Sequence, residues 1–125
     1  VDDAVVRAGI SGGDPGAWGL EGPNGPQFLS FNGASYSVTL TIAPVGVGVS
    51  LQAARSNGSA AGDSVTITAS CDGSLVDTDT HVFGAINEWG TLSVSAPCID
   101  SVTVAGAGGA FHPYGIDNLR ITRND

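Results

Sequence analysis

Hydrophobic and polar residues alternate along short stretches of the chain, and this alternation predicts β-strands. The clearest case is the stretch 35–42, where Tyr36, Val38, Leu40 and Ile42 share one face while serines and threonines occupy the other. Similar patterns predict further strands over residues 3–9, 27–31, 45–53, 64–71, 81–86, 91–95, 98–105 and 115–122, which makes about eight or nine strands in all.

Turn-forming residues separate these strands, and nothing in the chain predicts a helix or an internal repeat. Nineteen glycines and six prolines supply frequent breaks. Asn32-Gly33 is a turn signal, residues 72–80 are interpreted as an acidic turn region, and residues 10–26 form a long irregular segment. In residues 45–53, Gly46 and Gly48 leave one face bare, which marks a bend or a close backbone approach.

This spacing predicts an all-β fold, a two-sheet antiparallel β-sandwich of the jelly-roll type. A chain of 125 residues is long enough to bury its own core as one domain, and residues 1–125 are assigned to it.

Charge narrows the range of partners. The chain has no lysine, and four arginines face twelve acidic residues, which gives a net charge of −8. Such a chain repels phosphate groups, so nucleic acid and anionic membrane surfaces are poor partners, and no apolar run suggests membrane insertion. The acidity suits neutral glycans, cations or simple solubility in the extracellular medium.

The two cysteines predict a disulfide. Twenty-six residues lie between Cys71 and Cys98, a spacing that fits neither a redox pair nor a zinc site. Each lies at the end of an alternating run, so a bond between strands or sheets is plausible; it would stabilise by about 3 kcal/mol and imply an oxidising compartment. A pair of reduced core thiols is the alternative. The chain begins at Val1 without a methionine or a signal peptide, which we interpret as a mature module cut from a longer secreted protein.

The second half of the sequence resembles a known family pattern. The stretch EWGTLSVSAPCIDSVTVAG, a glycine-rich linker and YGIDNLRIT resemble secreted bacterial β-sandwich modules. These include exoproteins with PEP-CTERM sorting signals and jelly-roll modules related to carbohydrate-binding modules. The resemblance covers residues 87–122 and implies a β-sandwich that binds glycans or serves as a surface or spacer domain. The residue 10–26 segment and the cysteine pair do not map onto that family.

Aromatic side chains in glycine-rich loops are the candidates for glycan contact, because sugar C–H faces pack on aromatic rings. Trp18 lies in such a loop, with Glu21 and Asn24 close by in sequence. His112 and Tyr114 form a second group in FHPYG. Alternatively, Trp18 covers an open end of the sandwich and His112 is an ordinary loop histidine.

Trp89, beside Glu88 at a turn, is a further candidate. Tryptophan side chains are often highly buried, so Trp89 alternatively plugs one end of the core.

A structural calcium ion is a second prediction, because hard cations require several oxygen ligands. The jelly-roll modules that this sequence resembles often bind one calcium ion through an aspartate of the terminal strand. Asp117 in GIDN occupies that kind of position. Asp72, Asp77 and Asp79 form a second acidic group without the spacing of a known calcium loop. Alternatively, Asp117 caps a turn or pairs with Arg120 or Arg7, and both groups are solvated acidic loops.

Catalysis is disfavoured. The only glutamates, Glu21 and Glu88, each stand near a tryptophan and could serve a small glycosidase, but they lie in separate loops with no local motif. No nucleophile and base arrangement is present in the sequence.

The sequence therefore favours a non-catalytic, lectin-like carbohydrate-binding module of a secreted protein, covalently linked to other domains. Its contacts would come from residues 12–26 and the FHPYG loop. A structural or adhesive surface domain without a glycan site is the alternative, and a small glycosidase is the weaker one.

Overall fold

The structure is a computed structural model that describes residues 4–8, 27–32, 37–55, 62–84, 88–107 and 113–123. These residues form seven β-strands: β1 (Ala4–Ala8), β2 (Gln27–Asn32), β3 (Ser37–Arg55), β4 (Ser64–Cys71), β5 (Ser74–Val82), β6 (Gly90–Ala107) and β7 (Pro113–Thr122). Within them, no helix is long and apolar enough to cross a membrane.

Two long bent strands, β3 and β6, build the sandwich. All neighbouring strands are antiparallel, in the order β1-β2-β7-β3-β6-β4-β5. The second half of β3 pairs with β7 and the first half of β6, which makes a five-stranded sheet. The first half of β3 pairs with the second half of β6, which continues to β4 and β5 as a four-stranded sheet. The all-β sandwich predicted from the alternation is confirmed.

Proline and glycine residues occur where these strands bend. The pairing of β3 with β6 is irregular between Thr41 and Gly48, a segment that contains the cis peptide bond Ala43-Pro44. A side chain at Gly46 would lie 3.2 Å from the backbone oxygen of Thr122. The close backbone approach expected of this glycine is therefore present. The two predicted strands 35–42 and 45–53 belong to a single bent strand, β3. Predicted strands 91–95 and 98–105 are likewise the two halves of β6.

The core lies between the two sheets and follows the sequence alternation. Buried aliphatic side chains of both layers and Phe83 form a single cluster: Val38, Ile42, Val49, Leu51, Ala53, Val65, Ile67, Ala69, Phe83, Leu92, Val94, Ile99, Val102, Val104 and Ile116. Val38 and Ile42, which share one face of the stretch 35–42, are buried in this cluster, and Leu40 of the same face packs against it. Tyr36, the fourth residue of that face, lies outside the described residues.

The outer face of the four-stranded sheet is rich in threonine. A row of four paired threonines crosses the sheet from β3 through β6 and β4 to β5: Thr39, Thr103, Thr68 and Thr78. The Oγ1 atoms of Thr39 and Thr103 lie 3.3 Å apart, within hydrogen-bond distance. Cross-strand threonine pairs stabilise sheets, so this row has a structural role.

The acidic segment 72–80 contains the turn of a hairpin and most of its second strand, β5. This corrects the sequence interpretation of the whole segment as a turn region. Asp72 and Gly73 both have positive φ angles, 49° and 79°, and they connect β4 to β5 as a two-residue turn. Asp-Gly suits such a turn because both central residues require φ above zero. Of the strand predicted over 81–86, residues 81 and 82 are the end of β5, which begins at Ser74, and residues 83 and 84 are not in a strand. Residues 85 and 86 lie outside the described residues.

The predicted disulfide is present. Cys71 and Cys98 are bonded, with their Cα atoms 5.8 Å apart. The bond joins the end of β4 to the bend of β6, and beside it the backbone N–H of Asp72 donates a hydrogen bond of 2.9 Å to Asp100 Oδ2. Both links hold the β4–β5 hairpin to the bend between the two sheets.

Candidate functional site

The outer face of the five-stranded sheet carries a shallow polar depression. Val49, Leu51 and Ala53 of β3 are buried in the core, so the alternate residues Ser50 and Gln52 face outward. Register places Thr91 of β6 beside Gln52 and Arg120 of β7 beside Ser50. An open space of about 300 Å³ lies over this surface, which we call the depression; its described lining is Ser50, Leu51, Gln52, Thr91, Asn118 and Arg120.

A bulge in β7 shapes the depression. Between the pairs Ser50↔Arg120 and Gln52↔Asp117, β7 has one residue more than β3. Asn118 lies in the bulge with a φ of 54°, and its Nδ2 donates a hydrogen bond to Gln52 Oε1. Asparagine tolerates this left-handed conformation better than most residues do. The bulge thus directs a side-chain amide onto its neighbour on β3.

Asp117, the predicted calcium ligand, stands next to this amide pair. Its Oδ1 accepts a 2.9 Å hydrogen bond from the backbone N–H of Asn118. Its Oδ2 is buried and accepts no hydrogen bond from the described residues. A buried carboxylate oxygen without a donor is energetically costly, so a partner for it is expected.

Two of the predicted aromatic residues come to the same end of this sheet. Trp89 is half-buried and directly precedes Gly90, the residue of β6 that pairs with Ala53. The backbone of Tyr114 pairs with Arg55, two residues further along β3. Tyr114 therefore lies at the start of β7 rather than in a loop, and it shares one sheet end with Trp89, next to the depression.

The other predicted glycan contacts cannot be placed. Trp18, Glu21, Asn24 and His112 lie outside the described residues, so their roles stay predictions. Glu88, the second glutamate of the glycosidase hypothesis, is exposed.

Asp77 and Asp79 have a different environment from the one expected of calcium ligands. Their Oδ2 atoms accept hydrogen bonds from the backbone N–H groups of Ser95 (2.9 Å) and Ser93 (3.0 Å) on β6. Each Oδ1 accepts the N–H of the next residue on β5, at 2.9 Å for Asp77 and 3.0 Å for Asp79. We call this arrangement the carboxylate seam. It joins the edge of one sheet to the edge of the other and gives partners to N–H groups that an open edge would expose.

His81 continues the seam by packing. A side chain at Gly90 would overlap the imidazole ring of His81, so the ring lies directly against β6. The ring also makes an edge contact with Phe83, with centroids 5.0 Å apart. Glycine at position 90 is what allows this close approach.

Metal ligands do not cluster in the part of the chain that the structure describes. No three or more histidine, cysteine, aspartate or glutamate side chains are grouped there so that they could hold a metal ion. Asp72 lies in the β4–β5 turn, Asp77 and Asp79 lie in the seam, and Asp117 lies on β7. The predicted second acidic group therefore does not form one site among these residues.

The strand arrangement and the single core define a β-sandwich module. Among solved structures, it is similar to TmCBM61 in complex with β-1,4-galactotriose: the TM-score is 0.65 at 16% identity, over 98% of this chain and 83% of that one. It is also similar to the cleaved adhesin domain of Lys-gingipain from Porphyromonas gingivalis, with a TM-score of 0.55 at 14% identity, over 100% of this chain and 93% of that one.

These likenesses confirm the expected β-sandwich fold and its resemblance in fold to such bacterial modules. No protein-family model and no curated protein matches the sequence.

Proposed function

We propose that this chain is a non-catalytic, lectin-like carbohydrate-binding module of a secreted protein. The observation that carries the assignment is the polar depression, in which hydroxyl, amide and guanidinium groups converge from β3, β6 and β7. Sugars offer many hydroxyl groups, and a concave surface with several oriented hydrogen-bonding groups suits them. The similarity in fold to a module solved with β-1,4-galactotriose supports the same class of ligand.

In this proposal the aromatic residues complete the site. Trp89 and Tyr114 belong to the sheet end beside the depression, and Trp18 belongs to the loop predicted over residues 12–26, outside the described residues. Their rings would pack on sugar faces while the depression binds hydroxyl groups. The disulfide supports secretion, since such bonds persist in oxidising compartments.

Retention on immobilised polysaccharides tests the function. We expect the wild type to be retarded on at least one matrix from a panel that includes β-1,4-galactan, cellulose, xylan and pectin. Trp18→Ala and Tyr114→Ala should weaken retention, each by about tenfold, because loss of a stacking ring costs about 1–3 kcal/mol.

Thr39→Ala is the control for that experiment, because Thr39 lies on the outer face of the other sheet. Absence of retention on every matrix would contradict glycan binding. Unchanged retention of both aromatic variants would contradict the loop contacts while leaving the depression as the site.

A structural or adhesive surface domain is the second candidate. The observation that favours it is a set of exposed apolar side chains on β5, with Leu75 65% and Val82 60% exposed. The similarity in fold to an adhesin domain supports it as well. In that case the module would bind protein surfaces, and no polysaccharide would retain it.

We also propose one structural calcium ion at Asp117, whose buried Oδ2 has no described partner. Backbone carbonyl groups or residues outside the described ranges would complete the ligands. Calcium at about one hundred times its dissociation constant should stabilise the fold by about 2.7 kcal/mol. The measurement is thermal unfolding in calcium and in EDTA, for the wild type and for Asp117→Asn. An unchanged melting temperature for the wild type would exclude the ion.

A further inference from the structure

Hydrogen-bond donors outnumber acceptors among the free side-chain groups of the depression. Gln52 Oε1 already accepts one bond from Asn118 Nδ2, so the Gln52 amide keeps both of its N–H donors but only one of its two acceptor lone pairs. Arg120 adds a guanidinium group, which has about five N–H donors in a rigid plane and no acceptor. The free acceptors are the Asn118 carbonyl oxygen, the second lone pair of Gln52 Oε1 and the hydroxyl groups of Ser50 and Thr91, which also donate. The surface therefore suits a ligand that brings strong acceptors.

Arg120 also carries a charge that the described acidic side chains near it do not neutralise. Asp117, three residues earlier, directs Oδ1 to a backbone N–H, and its Oδ2 has no described donor. Asp77 and Asp79 are engaged in the carboxylate seam. Arg123 is the other arginine whose side chain the structure describes. Its Nε donates a hydrogen bond of 3.1 Å to the backbone oxygen of Pro44, which gives it a structural role. Arg120 is exposed and lines the depression, so its guanidinium group is available to a ligand.

From this arrangement we infer that the depression binds acidic glycans, and that Arg120 recognises the carboxylate of a uronic acid residue. The assignment rests on the glycan-binding function proposed above and names its ligand class. Arginine and carboxylate groups form paired, charge-assisted hydrogen bonds that are roughly twice as strong as neutral ones. The Gln52 amide adds donors beside the guanidinium group, and the hydroxyl groups of Ser50 and Thr91 contact the sugar hydroxyls.

The net charge of −8 does not prevent this recognition. Charges farther than about 8 Å away are largely screened at physiological ionic strength, whereas a direct guanidinium–carboxylate contact is not. Distant carboxylates therefore lower the affinity for every anion modestly. The contact at Arg120 decides between acidic and neutral ligands of the same shape.

Calorimetric titration with matched ligands tests the inference. The probes are oligogalacturonate and oligomannuronate, each compared with its fully methyl-esterified form, which has the same linkages but no charge. We expect at least one acid to bind about tenfold more tightly than its ester, the difference between a charge-assisted and a neutral hydrogen bond. Arg120→Gln should abolish that difference. Arg123→Gln, which changes the net charge equally, should keep it.

Ionic strength provides a second readout. The preference for the acid should rise modestly between about 0.01 M and about 0.15 M salt, because the screening length falls from about 30 Å to about 8 Å and the repulsion by distant carboxylates is screened more than the direct contact. Equal affinity for acid and ester, or equal losses in Arg120→Gln and Arg123→Gln, would overturn the role of Arg120. Binding of neutral glycans without a preference for acids would overturn this inference and leave the proposed function standing. Binding of no glycan at all would overturn both.

Discussion

Replacing both cysteines with alanine, Cys71→Ala with Cys98→Ala, is expected to lower the free energy of unfolding by about 3 kcal/mol. The disulfide closes a loop with a sequence separation of 27 residues, and opening it increases the conformational entropy of the unfolded chain. It also releases the β4–β5 hairpin from the bend of β6. Urea unfolding followed by tryptophan fluorescence measures the effect.

Reduction supplies the control for this prediction. A reductant should destabilise the wild type by a similar amount and leave the double variant unchanged, because the variant has no bond to reduce. If the double variant had the same free energy of unfolding as the oxidised wild type, the disulfide would not contribute to stability.

The second large effect concerns the carboxylate seam. Asp77→Asn with Asp79→Asn should destabilise the fold by about 2 kcal/mol, since hydrogen bonds to charged groups contribute about 1.5–3 kcal/mol and these groups are partly exposed. Each asparagine has one acceptor oxygen where the aspartate used two, so one backbone N–H in each pair loses its partner. Urea unfolding measures the loss in stability.

Hydrogen exchange separates loss of the seam from a general loss of stability. The amides of Ser93 and Ser95 should exchange faster than those of other β6 residues in the double variant. Asp72→Asn is the matched control, because it also removes an acidic charge and asparagine suits the positive φ of that turn. If the seam variant were no less stable than this control, the carboxylates would have no structural role.

The seam also explains why sequence alternation failed for β5. Asp77, Asp79 and His81 face the edge of β6, and threonines and valines face solvent, so the strand shows no apolar side. A pattern that depends on burial in the core cannot detect a strand that faces another sheet edge. The Asp-Gly pair at 72–73 was a usable signal, because it favours a two-residue hairpin turn.

The long strands were predicted as pairs of shorter ones for a related reason. Pro44 and Pro97 interrupt the alternation, and a local pattern ends where it is interrupted. Strand pairing continues past both residues, because β3 and β6 bend there and cross from one sheet to the other. The inward-facing residues could be predicted because the alternation is intact on either side of the bends, as at Val38 before the bend of β3 and at Val49 after it.

The depression could not be predicted because its residues are ordinary in sequence. Gln52 and Asn118 are 66 positions apart and outward-facing, like many solvated side chains. Only the register of β3 with β7, and the bulge that shifts it, brings their amides together. Aromatic residues in glycine-rich segments can be selected from sequence because that local composition is unusual. The polar outer face of a sheet has no such compositional signal.

The most direct test of glycan binding at the depression is an NMR titration of the ¹⁵N-labelled protein with the oligosaccharide that corresponds to its best-retained polysaccharide. We predict the largest saturable amide shifts at Ser50, Gln52, Thr91, Asn118 and Arg120, with small shifts on the threonine row of the other sheet. Saturable shifts centred on Thr39, Thr68 and Thr103, or no saturable shifts at all, would contradict the account.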